Sequence, residues 1–331
     1  MHLKKIMKSN RIIFFLALVL IFSSGGTARA EDNGGYAGAF LQIPVGARPS
    51  AMGGAYTSIS NDGAGPLFNP AGISSIRQKL FSTSYRSMSI DRTLGYVTLL
   101  FPGKHNATIG VNWLHAGSGS VEARNTDGDP LGQDITFNNN AIAFVFAKRF
   151  EDYLSIGARL AYLQASLEDM STALVSFDFG AILYVNSLFD RERRDLVPVQ
   201  DIKIGLVIKN IAANYRWDGS EISGSTSGVI QEDVVPVEFR LGLSGRFLDK
   251  KLLLSTDFSK NSKQSATFHA GAEFTHLEKF FLRAGLDRGR PTAGFGYLFN
   301  FGLKTMAIDY AFSSDRVGEG SEHIFSFDIL F

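Results

Sequence analysis

The chain has 331 residues, of which 45% are hydrophobic and 12% aromatic, and its formal net charge is +1 at pH 7. A net charge this close to zero gives no support to nucleic-acid binding, which usually requires a basic surface. The absence of cysteine excludes disulfides, thiolate metal sites and a lipidated cysteine, so packing and hydrogen bonding must stabilise the fold alone.

Residues 1–30 have the pattern of an export signal that is cleaved. Four basic residues between Lys4 and Arg11 precede an unbroken apolar run over residues 12–22, and Ala28-Arg29-Ala30 fits the small-x-small cleavage rule. The apolar run is too short for a membrane-spanning helix, which needs about 20 residues. We therefore expect export, cleavage after Ala30, and no helical anchor.

Residues 31–78 lack the sustained alternation that marks the rest of the chain. Gly53-Gly54 permits positive φ angles and the close approach of another surface. Pro70 biases Asn69 away from helical geometry and can open a helical turn, which the Asn69 side chain can cap. Capping is the favoured interpretation of Asn69, and a gating or ligand-contact role is compatible with it.

Residues 79–331 contain roughly fourteen strand-like segments, an even number within the range of single-chain outer-membrane barrels. In the segment from Leu154 to Tyr162, for example, apolar side chains at every second position oppose Ser155, Gly157 and Arg159. The predicted segments start near Lys79, Thr93, Asn106, Asn140, Leu154, Ala173, Ile202, Val237, Leu252, Thr267, Phe281, Thr292, Gly302 and Glu322.

The connections between these segments alternate between short and long, as periplasmic turns and extracellular loops do in such barrels. This parity places both termini in the periplasm. The connection over residues 186–201 breaks the rule, because it is long on the short-turn side and contains Arg191, Arg193 and Arg194. A solvated turn is the favoured interpretation, and a docking element for a periplasmic or membrane partner is the alternative.

The last strand ends in an apolar stripe at alternate positions, formed by Phe325, Phe327, Ile329 and Phe331. An uninterrupted stripe that ends on phenylalanine resembles the C-terminal assembly signal of bacterial outer-membrane barrels. The resemblance implies outer-membrane lipid and the barrel-assembly machinery as partners.

A ring of strands must close in hydrocarbon, because an open edge leaves backbone groups without partners. A ring of about fourteen strands encloses a lumen wide enough to hold water, a ligand or a plug. We therefore expect residues 31–78 to fill the lumen. Charges of both signs on inward faces favour ion pairs that lock this plug over a charge-selective conduit, and an apolar pocket beside it would suit a hydrophobic ligand. The predicted lumen-lining charged residues are Arg159, Arg240, Arg246, Asp257, Glu273, Arg283 and Asp287.

Catalytic chemistry has little support in the sequence. None of the six histidines has the i, i+4 spacing of a zinc-protease motif. His269 and Glu273 share an inward face and superficially suggest a catalytic pair, but a solvated hydrogen-bonded ladder is the favoured interpretation. We expect no catalytic residue, no metal site and no cofactor.

The N-terminal region resembles a known family at three motifs: Gly46–Tyr56, Asn61-Asp62-Gly63 and Phe68-Asn69-Pro70-Ala71-Gly72. Together they are similar to the signature of the PorV/PorQ family, relatives of the FadL-type transporters of hydrophobic compounds, and Asn69-Pro70-Ala71 matches the Asn-Pro-Ala of the FadL hatch. The resemblance implies a fourteen-stranded barrel with an N-terminal hatch. It also implies hatch or gating roles for Gly53, Gly54, Asn69, Pro70, Ala71 and Gly72.

The prediction is therefore an all-β membrane protein: a cleaved signal over residues 1–30, a hatch over 31–78, and a transmembrane antiparallel barrel over 79–331 in the cell outer membrane. FadL similarity implies hatch-gated uptake of hydrophobic small molecules. PorV similarity implies the alternative, an accessory or shuttle component of a type IX-like secretion system with secretion proteins as partners. An outer-membrane enzyme is a third hypothesis without a supporting motif.

Overall fold

A computed structural model describes residues 36–89, 91–119, 121–167, 170–189, 199–218, 230–314 and 320–331. The predicted signal at residues 1–30 lies outside these ranges. Among the described residues, fourteen antiparallel strands close into one barrel, and four further strands form two separate hairpins. This confirms the predicted closed antiparallel barrel of about fourteen strands.

The strands are β1 (Leu80–Ser87), β2 (Thr93–Pro102), β3 (Ala107–Gly117), β4 (Val121–Arg124), β5 (Pro130–Ile135), β6 (Phe137–Phe150), β7 (Leu154–Leu167), β8 (Met170–Tyr184), β9 (Gln200–Ile211), β10 (Asn214–Asp218), β11 (Ile230–Val234), β12 (Glu238–Phe247), β13 (Leu252–Asn261), β14 (Thr267–His276), β15 (Phe280–Asp287), β16 (Arg290–Phe301), β17 (Lys304–Ser314) and β18 (Ser321–Leu330). Each of the fourteen predicted starts lies within three residues of a barrel strand's observed start.

The barrel closes between its first and last strands. β1 and β18 pair antiparallel from Leu80 opposite Leu330 to Ser87 opposite His323. The backbone N–H of Phe331 then donates to the carbonyl of Lys79 at 3.0 Å. Closure gives both edge strands a partner, which a strand in hydrocarbon requires.

Side chains alternate between an exposed, largely apolar outer face, here called the lipid-type face, and a buried inner face. In β7, Ile156 and Tyr162 are 46% and 51% exposed on the outside, whereas Arg159 is 4% exposed on the inside. The predicted C-terminal stripe runs along β18 to the residue after it: Phe325 and Phe331 are 53% and 47% exposed, and Phe327 and Ile329 are partly buried. No helix in the described ranges is long and apolar enough to cross a membrane.

The two ends of the barrel differ in their connections. The short-turn end carries the β2–β3, β6–β7, β12–β13, β14–β15 and β16–β17 turns. The first strand of the barrel begins there and the last strand ends there. The long-loop end carries the hairpins β4–β5 and β10–β11, which the sequence did not predict. The β8–β9 connection begins with a short 3-10 turn, Val185–Leu188. Its predicted basic residues Arg191, Arg193 and Arg194 lie outside the described residues, so both interpretations stay predictions.

The N-terminal segment, residues 36–78, folds into four short helical turns: Ala39–Gln42, Ala47–Ala51, Gly65–Phe68 and Pro70–Ser75. It packs against the inner faces of the strands. Towards the short-turn end, Ile73 and Ile76 form an apolar cluster with Leu80, Leu100 and Val145 of the wall. The segment is thereby an interior element, and its contacts with the wall define the candidate site.

Candidate functional site

Arg48 links the N-terminal segment to the wall through a carboxylate of β14. Its Nε and Nη2 donate to the two carboxylate oxygens of Glu273 on β14, at 2.7 and 3.0 Å. Its Nη1 donates to the Tyr56 hydroxyl at 2.8 Å and to Asn61 Oδ1 at 2.9 Å. A bidentate guanidinium–carboxylate pair fixes both distance and orientation. This contact therefore holds one end of the helical turn Ala47–Ala51 against the barrel.

The Arg48 contact continues across the wall as a chain of alternating charges. Glu273 Oε2 also accepts from Arg283 Nε at 2.7 Å, and Arg283 Nη1 donates to Asp309 Oδ1 at 2.5 Å. Alternation matters because removing one partner of a buried ion pair leaves an uncompensated charge. Three strands, β14, β15 and β17, are thus tied to the N-terminal segment through one network.

Tyr56 connects this network to Asp62, a carboxylate within the N-terminal segment. Its hydroxyl donates to Asp62 Oδ2, while it accepts from Arg48. Burial raises the pKa of the Tyr56 phenol well above its ordinary value, because the phenolate is poorly solvated there. The phenol therefore stays protonated and able to donate.

A second arginine, Arg86 on β1, holds the segment at the seam where the barrel closes. It forms an ion pair with Glu322 on β18. Its Nη2 also donates to the carbonyl of Pro44 and to Ser50 Oγ, both at 2.7 Å. Neither Arg48 nor Arg86 was predicted as a site residue, because Glu273 and Glu322, the carboxylates with which they pair across the barrel, lie more than 200 positions away in the chain.

Two predicted lumen residues bind the backbone of the segment directly. Asp257 Oδ2 accepts from the backbone N–H groups of Tyr56 and Thr57 at 3.0 and 2.9 Å. His269 Nδ1 lies 2.9 Å from the carbonyl of Gly53 and 3.1 Å from Asp287 Oδ1. These side chains recognise the main chain of the segment and not only its charges.

The interpretation of His269 and Glu273 as a solvated ladder is wrong. The two side chains share an inward face, but they are only 2% and 1% exposed because the N-terminal segment covers them. His269 contacts Gly53 and Asp287, whereas Glu273 binds two arginines. They act as separate anchors of the segment.

Seven inward-facing glycines, here called the glycine belt, bring the wall and the interior backbone into direct contact. A Cβ added at Gly157 would lie 2.4 Å from Ala71 N, and one at Gly205 would lie 2.4 Å from Thr57 O. Real Cβ contacts are not this short, so only glycine fits. The belt consists of Gly157, Gly180, Gly205, Gly242, Gly271, Gly285 and Gly294, and six of these form three cross-strand pairs.

The Asn69-Pro70-Ala71 motif lies against one of these glycine pairs. Asn69 Oδ1 accepts from Ala71 N at 3.0 Å, which is the cap that its position before Pro70 predicts. Its Nδ2 donates to the wall carbonyls of Ala181 on β8 and Leu206 on β9, at 3.1 and 3.3 Å. Asn69 therefore combines the capping of a turn with attachment of that turn to the wall.

The predicted hatch glycines are required by backbone geometry and packing. Gly53 and Gly54 have φ angles of +63° and +78°, which favour glycine. A Cβ at Gly72 would lie 2.2 Å from the carbonyl oxygen of Ser60. The turn of Pro70–Ser75 therefore packs directly on the neighbouring loop of the segment.

A cavity, here called the first cavity, lies between the N-terminal segment and the wall. Its apolar part is lined by Leu41, Ile43, Val45, Leu67, Phe68 and Leu114. Its polar part includes Arg159, Lys209, Asn210, Arg240 and His269. Tyr215 of β10 and Val235, just after β11, belong to the same buried apolar cluster as Phe68 and Leu114, so the long-loop hairpin adds to the apolar surroundings.

The cations beside this cavity are paired with wall carboxylates. Arg159 Nη1 donates to Asp178 Oδ2 at 2.9 Å. Glu238 pairs with both Arg240, at 2.9 Å, and Lys209, at 3.6 Å. The cavity thus offers apolar contact surface together with largely neutralised charge.

Arg246 lies apart from the other predicted lumen charges. It is near the short-turn end of β12, with its Nε 3.8 Å from Asp201 Oδ2. Its side chain is 24% exposed, in contrast to the buried Arg159, Arg240 and Arg283. It contacts neither the N-terminal segment nor the first cavity in the polar interactions that the structure shows.

The residues that line a second cavity include the polar side chains Arg48, Asp62, Tyr96, Asp309 and Asp328. Val45 lines the first cavity and Gly46 the second, so the N-terminal segment passes between them. In the described part of the chain, no three histidine, aspartate or glutamate side chains converge into a metal site.

Comparison with known proteins gives structural likeness only. No family model and no curated protein matches the sequence. A FadL homologue of Pseudomonas aeruginosa superposes with a TM-score of 0.57 at 11% identity, over 87% of this chain and 98% of that one. The deltaS2S3 mutant of TodX, a monoaromatic hydrocarbon channel, gives 0.59 at 11% identity, over 86% and 97%. Its deltaS2 mutant gives 0.54 at 12%, over 86% and 96%.

At such low identities this likeness shows the fold, a closed fourteen-stranded barrel, and nothing finer. The PorV/PorQ resemblance of Gly46–Tyr56 stays a prediction, because no sequence or family match supports it.

Proposed function

We propose that this protein is a non-enzymatic outer-membrane channel that takes up hydrophobic small molecules past its N-terminal segment. The observation that carries the proposal is the apolar cavity between that segment and the wall, lined by Phe68, Leu114 and their neighbours. Concave sites with mostly apolar walls and a few placed polar groups are typical of small-molecule binding. The lipid-type outer face of the barrel supports the membrane location.

The solved structures with the same fold support the ligand class. One is described as a FadL homologue, and another as a monoaromatic hydrocarbon channel. For this chain, the first cavity supplies apolar surface at the long-loop side of the N-terminal segment, where Tyr215 and Val235 add to its cluster. We therefore assign initial binding to this cavity, and gating to the segment that contains Gly53, Gly54 and the Asn69–Gly72 motif.

Polar substitution inside the cavity tests this assignment. Leu114→Asn places an amide in the lining, and we expect weaker binding of an apolar probe such as toluene or N-phenyl-1-naphthylamine and slower uptake into proteoliposomes. Leu100→Asn is the matched control: Leu100 is equally buried, but it packs in the separate cluster with Ile73. Equal effects of the two variants, with both barrels folded, would remove the cavity from the mechanism.

A second function, accessory or shuttle component of a type IX-like secretion system, has one specific observation in its favour. The segment that resembles PorV/PorQ is fixed to the wall by Arg48–Glu273, by Arg86–Glu322 and by the glycine belt. A lumen closed this firmly suits a barrel that serves as a platform for other proteins.

Mass spectrometry of the native protein in gentle detergent separates the two functions. Reproducible apolar ligand without stable partners supports uptake. Stoichiometric secretion or surface proteins without ligand support the platform role and contradict the uptake proposal.

A further inference from the structure

Three consecutive turns at the short-turn end present leucine at their tips. Leu248 in the β12–β13 turn, Leu277 in the β14–β15 turn and Leu303 in the β16–β17 turn are 64%, 71% and 102% exposed. Short turns between strands usually carry small or polar residues, because such residues suit both the backbone and water. These leucines therefore lack the contact partner that their chemistry favours within the chain.

Backbone geometry makes leucine at two of these tips more unusual. Leu248 and Leu277 both have φ angles of +52°, in the left-handed region. Glycine and asparagine occupy this region at lower cost than leucine does. Neither local conformation nor hydration explains leucine there, which points to an apolar environment supplied from outside the chain.

Lysines lie on or next to the short turns on all sides of the barrel. Eight of the eleven lysines beyond residue 30 lie at the short-turn end, whereas Lys209, Lys260 and Lys263 lie towards the long-loop end, where Lys209 is buried inside the barrel. Six lysines on or next to the short turns form what we call the lysine rim: Lys104, Lys148, Lys250, Lys251, Lys279 and Lys304.

Two members of the lysine rim lie over aromatic rings. Lys148 Nζ is 5.1 Å from the centroid of the Phe150 ring, and Lys304 Nζ is 5.9 Å from that of Phe331. Both rings are exposed on the outer face, with Phe331 at 47%. A lysine whose stem follows lipid-facing apolar surface and whose ammonium reaches the headgroup level is placed to bind phosphate.

We infer that the lysine rim binds the headgroups of anionic phospholipids in the membrane leaflet at the short-turn end, with the three tip leucines as interfacial anchors. Lipid is the occupant because the lysines occur around the whole ring, as a lipid annulus does, whereas a docked protein covers one arc. The tip leucines also continue the lipid-type surface through Phe280 and Phe301, which are 47% and 71% exposed.

Lipid retention by the purified full chain tests this inference. The protein is exchanged into detergent with equal amounts of phosphatidylglycerol and phosphatidylcholine, and bound lipid is counted by native mass spectrometry. The wild type should retain phosphatidylglycerol selectively. The double variant Lys279→Gln, Lys304→Gln should lose about fivefold in that preference for each lysine removed. The matched control is Lys260→Gln, Lys263→Gln at the opposite end.

The leucines are tested separately with Leu248→Asn and Leu277→Asn. Asparagine suits the left-handed backbone, so heat-modifiable mobility should be retained while lipid retention falls. Equal retention of the two lipids by the wild type, or equal losses in the rim and control variants, would overturn the inference. So would loss of a co-purifying acidic protein from the rim variant with lipid retention unchanged, because the rim would then dock a protein.

Discussion

Replacing Gly157 with alanine should loosen the N-terminal segment while leaving the barrel closed. The added Cβ would lie 2.4 Å from both Ala71 N and Pro70 C, about 1 Å short of ordinary contact at 3.4 Å. Its three nearest neighbours are all backbone atoms of the segment, so no side chain can rotate away. The segment must therefore move as a unit from its position on β7.

The size of the effect follows from the cost of overpacking, about 1–3 kcal/mol for one additional methyl group in a packed interior. That free energy corresponds to roughly a 5- to 150-fold increase in the population with the segment displaced. Cysteine labelling measures this population, because the chain has no cysteine of its own. Ser58→Cys places the single thiol at a position that is 0% exposed. Labelling by a maleimide should accelerate by a factor within that range.

Gly95→Ala in the same Ser58→Cys background is the control. Gly95 is also within a barrel strand, but an added Cβ there would meet no atom within 4 Å. Equal labelling rates in the two variants, with heat-modifiable barrels in both, would refute the argument that the glycine belt holds the segment. If Gly157→Ala failed to assemble, Gly205→Ala tests the same argument on β9, where Thr57 and Ser58 are the nearest neighbours.

Three further predictions concern ion pairing, assembly and the cap. Glu273→Gln removes a carboxylate from the buried Arg283 and the partly buried Arg48, and should lower the free energy of unfolding by about 3–5 kcal/mol. Glu122→Gln, which removes an exposed pair, should cost at most about 1 kcal/mol, and denaturant titration compares the two. Deleting Phe331 should reduce the yield of heat-modifiable barrel in cells, and an unchanged yield would contradict its role as an assembly signal. Asn69→Ala should cost about 1 kcal/mol through the lost cap alone and accelerate labelling in the Ser58→Cys background, without loss of the barrel.

The barrel itself was predictable because alternation is a local property of the sequence. All fourteen strands could be located from the spacing of apolar side chains and from turn residues, including the last strand, which ends at Leu330. The hairpins β4–β5 and β10–β11 were missed because long loops in the sequence carry no comparable alternating pattern. Their positions depend on contacts such as that of Thr172 with the backbone of Arg216.

The interior contacts were only partly predictable. Inward-facing charge at Glu273 and Arg283 followed from alternation, but the third partner, Arg48, depends on the path of the N-terminal segment through the lumen. The glycine belt was missed for the same reason. A glycine in a strand has many explanations until the register places it opposite another, as Gly157 opposes Gly180. A pattern of inward glycines at matching depth was the signal in the sequence that could have revealed it.

Binding and passage should be separable in this protein. The first cavity and the Arg48 network share no lining residue, whereas Arg48 itself lines the second cavity. If the first cavity binds an apolar molecule as proposed, binding need not break the Arg48–Glu273 pair, whereas passage to the second cavity requires the N-terminal segment to move at Val45 and Gly46. Accordingly, Leu114→Asn should weaken probe binding, while Glu273→Gln should leave binding unchanged and alter the rate of passage into proteoliposomes. If Glu273→Gln weakened binding as much as Leu114→Asn does, the segment would be part of the binding site and not a barrier beyond it.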